Sequence, residues 1–141
     1  MLNKLLLELW NNKIARRAAL IIKRYAIGNA PGCATVASAY LQMAGVLPEG
    51  KHYAWTLALS NKLESLGWAS STHIKKVVPG CLVFTIDDNN NDAPDHVFGV
   101  LAIEPAEHVL AVDNRNSGEP YVRNLGVGRY GSMQYALFPP S

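Results

Sequence analysis

Leucines recur at positions 2, 5, 6 and 9, and Ala18, Ile21, Ile22 and Tyr25 repeat the same three-and-four spacing further on. That period predicts helix over residues 2–25, with a break near Asn11 and Asn12, where two polar side chains interrupt the stripe. Lys13, Arg16, Arg17, Lys23 and Arg24 supply the wet side. A basic amphipathic helix can lie on a membrane surface. Covering a core is the commoner use of such a stripe, and it is the expectation here. A loop over residues 28–32 follows, ending in a Pro31-Gly32 turn. Ala34, Ala37, Leu41 and Ala44 return to helical spacing, and Gly45 stands where a helix would stop. Residues 47–53 read as a connection containing Pro48 and Gly50. A third helix is predicted over residues 56–66, with Leu57, Leu59, Leu63 and Leu66 apolar, Gly67 as its stop, and Trp68 turned back onto the core.

Beyond Trp68 the period shortens. Residues 81–86 are rich in strand formers, and 87–92 form an acidic, asparagine-rich loop. Residues 96–103 predict a second strand, 104–107 a tight turn, and 109–112 a third strand. Shorter strands are predicted at 121–122 and 134–138. Helices first and antiparallel strands afterwards is an α+β order, not the alternation of a parallel sheet.

Composition narrows this only a little. The length of 141 residues suits one domain with a core of its own. A formal charge of +2 gives no footprint for nucleic acid, although it would not oppose an anionic polymer such as a cell wall. No run approaches the roughly 20 apolar residues of a membrane span. No signal peptide of standard form is expected, since Lys4 and Glu8 interrupt the first apolar run.

The chemistry-bearing residues are few. Cys33 opens the alanine-rich helix, where unpaired N–H groups and the positive dipole end favour a thiolate. Cys81, after Pro79-Gly80 and before an apolar run, reads as a buried strand residue, and both cysteines read as free thiols. A thiol nucleophile needs a base, and the base needs a group that orients it. Among the histidines, His52, His73 and His108 fall in loops or beside turns, whereas His96 opens an apolar strand. The hairpin after it brings Asp113 and Asn114 back alongside. Side chains alternate along a strand, so only one of the two shares a face with His96. Either a carboxylate or an amide oxygen could accept the imidazole Nδ1–H. A base so oriented would take the Cys33 proton for attack on an amide carbonyl. The oxyanion would then fall to N–H groups at the helix start around Gly32 and Cys33, with Asn29 as an upstream side-chain donor.

Five segments together resemble the CHAP-type and NlpC-like cysteine amidases and peptidases, over about residues 29–138. Gly32-Cys33-Ala34-Thr35-Val36-Ala37-Ser38 resembles that family's cysteine-helix opening, and Met43-Ala44-Gly45-Val46 its helix end. Val78-Pro79-Gly80-Cys81-Leu82-Val83-Phe84 is similar to its Pro-Gly-Asp-Leu-Val-Phe strand, with Cys81 at the Asp position. Asp95-His96-Val97-Phe98-Gly99-Val100 is similar to its His-Val-Gly-Ile-Val strand with one extra residue, and Val112-Asp113-Asn114-Arg115 to the strand end that carries the third member. The resemblance implies a papain-like fold, with residues 29–141 as catalytic domain and 1–28 as a helical segment packed on it. It implies Cys33 as nucleophile, His96 as base, Asp113 or Asn114 as orienting group, and no cofactor or metal. The implied substrate is the peptide stem of bacterial peptidoglycan, met in the wall or periplasm after delivery by a phage or a secretion system. A delivered effector would have an immunity protein as partner. The other readings are a thiol hydrolase or acyltransferase acting on a non-wall amide, and a silent binding module on the same fold.

Overall fold

A computed structural model describes residues 2–30, 32–126 and 131–140. Pro31 of the turn before Cys33 lies outside the described residues. The chain begins with two helices, α1 (Leu2–Trp10) and α2 (Lys13–Ile27), and the break between them falls at the two asparagines. Asn12 has extended backbone angles, and its Oδ1 accepts the Ala15 N–H at 3.0 Å, so it caps α2. Arg16 Nη1 donates to the Trp10 carbonyl at 2.9 Å and satisfies the end of α1 from one turn inside α2.

Helix α3 (Cys33–Met43) is buried from Ala34 through Leu41, which explains its run of small residues. Alanine side chains let α2 and a sheet strand approach its backbone from different sides. Its end has Gly45 at φ 79°, and the Val46 N–H reaches back to the Leu41 carbonyl at 2.8 Å. Helix α4 (Thr56–Ser65) buries Leu59 and Leu63, and Trp68 is buried after the Gly67 stop.

The strands are β1 (Ala69–Ser71), β2 (Leu82–Thr85), β3 (Val97–Glu104), β4 (His108–Val112), β5 (Tyr121–Asn124) and β6 (Met133–Phe138). They form one sheet in the order β1-β6-β2-β3-β4-β5, antiparallel throughout. The described residues thus make an α+β fold of four α-helices and a six-stranded antiparallel sheet. One sheet face, with Leu82, Phe84, Val97 and Val112, packs under Leu6, Trp10, Ala19, Tyr40 and Leu41 from the helices. The other carries Val83, Phe98, Val100, Val109 and Ala111, closed by Leu125 and Met133. Cys81 is fully buried there, as a free thiol.

Two expectations are corrected. The buried stripe of α2 is Ala15 and Ala19, with Leu20 and Ile22 partly buried against the core; of the expected stripe, Ile21 and Tyr25 are exposed. Small residues sit where α3 comes close, and Ile14, Ile21 and Tyr25 turn outward. Strand β1 was not expected at all, because Ala-Ser-Ser has no apolar alternation. It forms by pairing with β6 at the sheet edge.

Trp10 locks α1 to the sheet. Its indole lies on Gly99 of β3, where an added Cβ would stand 2.5 Å from Cζ2 and 2.6 Å from Cε2. The ring also meets Tyr40 of α3 edge-on, with centroids 6.4 Å apart. A rigid, buried ring cannot step aside, so Gly99→Ala is expected to destabilise the protein by about 1–3 kcal/mol, as overpacking does. The check is the urea midpoint with an unchanged m-value.

Candidate active site

Three elements meet at one end of the sheet. Cys33 is the first residue of α3, His96 immediately precedes β3, and Asp113 immediately follows β4. The Cys33 sulfur accepts from His96 and from the backbone N–H groups of Val97 and Ala34. Burial pushes the thiol up. The hydrogen bond and positive charge of His96, then the two N–H groups, outweigh it and bring Cys33 below its ordinary value. The Cys81 thiol has no imidazole beside it, and burial outweighs its backbone hydrogen bonds at Val78 and Cys81 and pushes it up to about 12.

The hairpin register decides between Asp113 and Asn114. Next to the turn, Glu104 pairs with His108 and Ala102 with Leu110. Continued without interruption, that ladder would set Phe98 across from Asn114. Instead the register shifts between Val100 and Ala102: Leu101 is an extra residue on β3, and beyond it Val100 pairs with Ala111 and Gly99 with Val112. The next step sets Asp113 across from Phe98, on the face that His96 shares by alternation. His96 Nε2 and Asp113 Oδ2 lie 2.6 Å apart. The nitrogen facing the acid is thus Nε2 and not the expected Nδ1. Nε2 is the far tip of the ring and spans to the neighbouring strand. Nδ1, close to the backbone, is left for the thiol that also accepts the Val97 N–H.

Asp113 is 2% exposed and fully engaged. Besides His96, its Oδ2 accepts the Tyr121 hydroxyl at 2.5 Å, and its Oδ1 accepts the Arg115 N–H at 2.7 Å. Tyr121 opens β5 opposite Ala111, so it stands on the same face as Asp113, two residues along β4. Arg123 Nη1 donates in turn to the Tyr121 oxygen at 3.3 Å. Burial pushes the Asp113 carboxyl up, but His96, Tyr121 and the Arg115 N–H together hold it below its ordinary value. Burial pushes His96 down, and Asp113 and Cys33 more than reverse it, leaving the imidazole above its ordinary value. Burial and then the Asp113 carboxylate push Tyr121 up to about 12, so its hydroxyl stays a donor. A lowered thiol beside a raised imidazole favours the thiolate–imidazolium form of the pair over a carboxylate.

The pair opens into a cavity of about 290 Å³, lined by Cys33 and His96 and by Trp55, Asn89, Asn114 and Arg115 among others. Asn114, on the opposite face from Asp113, lines this cavity instead of orienting His96. Asn29 does not reach it. Gly28, at φ 65°, turns the chain outward at the end of α2, and Asn29 is exposed. Gly32 is buried as the N-cap of α3 against Ile27 and Lys23, and its carbonyl accepts the Val36 N–H at 2.8 Å. His52 and His73 are exposed, and His108 Nδ1 lies 2.8 Å from the Ala106 carbonyl in its own turn. Among the described residues no cluster of three His, Cys, Asp or Glu side chains is placed to hold a metal. Sequence reasoning missed Tyr121, Trp55 and the Asn89–Asn91 loop. Only the strand pairing brings Tyr121 to the site, and only the tertiary fold sets Trp55 and the loop around one cavity with Cys33.

Two outcomes follow for the folded protein. Iodoacetamide is expected to label Cys33 near neutral pH and to leave Cys81 unmodified. His96→Ala is expected to slow that labelling by about tenfold or more, as burial then acts on the thiol unopposed; peptide mass spectrometry assigns the site. Tyr121→Phe removes one donor to a buried carboxylate and is expected to lower stability by about 1.5–3 kcal/mol at neutral pH. Asp113 is held below its ordinary 3.8, so this contribution is full above that value. It is lost as pH falls through the folded value. Urea titrations of both proteins, repeated down the acid range, should therefore converge.

No protein-family model matches the chain. No curated protein matches it by sequence. A solved structure described as "The crystal structure of Ly7917" is similar in fold, with a TM-score of 0.51 and 17% sequence identity over 88% of this chain and 62% of that one. This chain thus spans less than two thirds of its neighbour's length, and at that identity the likeness extends to the α+β fold alone.

Proposed function

We propose that the chain is a cysteine amidohydrolase or peptidase on a papain-like fold, of the CHAP-type or NlpC-like kind. In this reading it cleaves an amide bond in the peptide stem of bacterial peptidoglycan through a thioester. The observation that carries the proposal is the chain of contacts from half-buried Cys33 to buried His96 and Asp113, drawn from three separate elements and opening into a polar cavity. Three of the segments resembling that family, those around Cys33, His96 and Asn114, supply residues that line this cavity, which supports the reading further.

The thiolate of Cys33 attacks the amide carbonyl carbon, and the carbonyl π electrons move to oxygen. The Cys33 backbone N–H, at the start of α3 where no preceding turn supplies an acceptor, is the donor for that oxyanion in this reading. As the tetrahedral species collapses, the C–N bond breaks and the amine leaves with the proton of the His96 imidazolium. Neutral His96 then takes a proton from water. The hydroxide equivalent attacks the thioester, and the second collapse releases the acid and regenerates the Cys33 thiolate. Asp113 remains a carboxylate throughout, holding the ring and stabilising its charged form. Trp55, 53% exposed at the rim, offers an uncovered aromatic surface to the substrate.

Purified peptidoglycan treated with the protein is expected to release defined muropeptides by mass spectrometry, and Cys33→Ala and His96→Ala are expected to release none. Asp113→Ala is expected to lower kcat by about a hundredfold or more, within the range for disabling an acid–base partner. The kcat/KM profile should be bell-shaped. It rises as the lowered Cys33 ionises and falls as the raised His96 loses its proton. Absence of product from wild type, with Cys33 still alkylating fast, would sink the wall substrate while leaving the thiol chemistry standing.

A further inference from the structure

Helix α2 has two apolar stripes, and only one of them meets the core. Ala15 and Ala19 face inward. Ile14, Ile21 and Tyr25 stand outside at 81%, 51% and 90% exposure. With half-buried Ala18 between them they follow a four-three-four spacing, which sets them in one line along the helix.

Beside that line run Lys13, Arg17 and Arg24, all exposed. The sequence of α2 holds five basic residues and no acidic one. Two of the five are engaged: Arg16 bridges to Glu119 at 3.0 Å, and Lys23 donates to the Gly28 carbonyl at 3.0 Å. Lys13, Arg17 and Arg24 have no ion pair among the described residues. An uncovered apolar row flanked by uncompensated positive charge calls for a partner with the complementary layering, apolar beneath and anionic above.

We propose that the outer face of α2 seats on an anionic phospholipid surface. The helix lies in the interfacial plane, with Ile14, Ile21 and Tyr25 entering the boundary between headgroups and acyl chains. Lys13, Arg17 and Arg24 rest among the phosphates. Tyr25 suits that boundary, since its ring is apolar and its hydroxyl stays wet. A bilayer fits this surface better than a protein groove, because the row is single and charged along one flank. With 15 residues α2 is about 22 Å long, and its inner face is held by α3, so it lies on the surface and does not cross it. No helix among the described residues is long and apolar enough to span. This surface is separate from the cysteine cavity and stands whatever bond the site cuts.

The test is flotation of the intact protein with vesicles of phosphatidylcholine alone and of phosphatidylcholine mixed with phosphatidylglycerol. Wild type is expected to float with the mixed vesicles only. Ile14→Ser/Tyr25→Ser and, separately, Arg17→Glu/Arg24→Glu are each expected to reduce partitioning by about tenfold or more. Both variants change exposed side chains, so the helical circular dichroism and the Cys33 alkylation rate should match wild type. Failure of wild type to float with the anionic vesicles overturns the proposal and leaves the row to a protein partner. Flotation that persists unchanged in Ile14→Ser/Tyr25→Ser overturns it too, since the charges would then act without the apolar row.

Discussion

A carboxylate with almost no contact with water is the constraint around which this end of the molecule is built. Removing Asp113 from solvent costs several kcal/mol unless hydrogen bonds offset it. Three donors from three places do so: the His96 ring, the Tyr121 hydroxyl and the Arg115 backbone N–H. Each brings its own element with it. His96 fixes the start of β3, Tyr121 fixes β5 against β4, and Arg115 begins the turn beyond β4. That turn runs through Asn116, Ser117 and Gly118 with φ of 54°, 54° and 79°, a succession of left-handed residues that needs outside support. Helix α2 supplies the support. Leu20 packs on Gly118, and Arg16 bridges to Glu119. The N-terminal helices therefore brace the loop that carries the acid.

The packing side of the same argument runs through Trp10. Its ring occupies the space over Gly99, and Gly99 pairs with Val112, the residue before Asp113. The seat of α1 on the sheet is thus one ladder position from the site. Tyr40 links the two, meeting Trp10 edge-on within a core that also holds α3 in place. Cys33 is the first residue of that helix, so its sulfur is positioned by the whole buried length of α3 and not by its own loop.

What could be read from the sequence was what local physics decides. The break at Asn12 is a capping event within four residues, and Gly45 and Gly67 mark helix ends through backbone freedom that other residues lack. Cys33 and His96 stood out because each opens a strongly patterned element. What could not be read depends on partners distant in the chain. Strand β6 inserts between β1 and β2, and no pattern in Ala69–Ser71 announces the pairing. Tyr121 looks like any strand tyrosine until β5 lies against β4. Asn29 looked close to Cys33 in sequence, but Gly28 turns it away in space.

The choice of Asp113 over Asn114 shows how much can hang on one residue. Leu101 is the extra residue in β3, and a shift of one position exchanges the faces of every side chain beyond it. Without it the amide of Asn114 would lie on the His96 face, and the carboxylate would turn toward the cavity. An amide can orient an imidazole, but it adds no negative charge to hold a proton there. The carboxylate does both, and it is one of the causes that raise His96 against the desolvation pushing it down. A raised imidazole is in turn what brings the buried Cys33 thiol below its ordinary value. The bulge lies five positions from His96 in the chain and touches none of the reacting atoms. It nevertheless decides which side chain backs the imidazole that lowers Cys33, while Cys81, with no such ring beside it, is pushed up by burial.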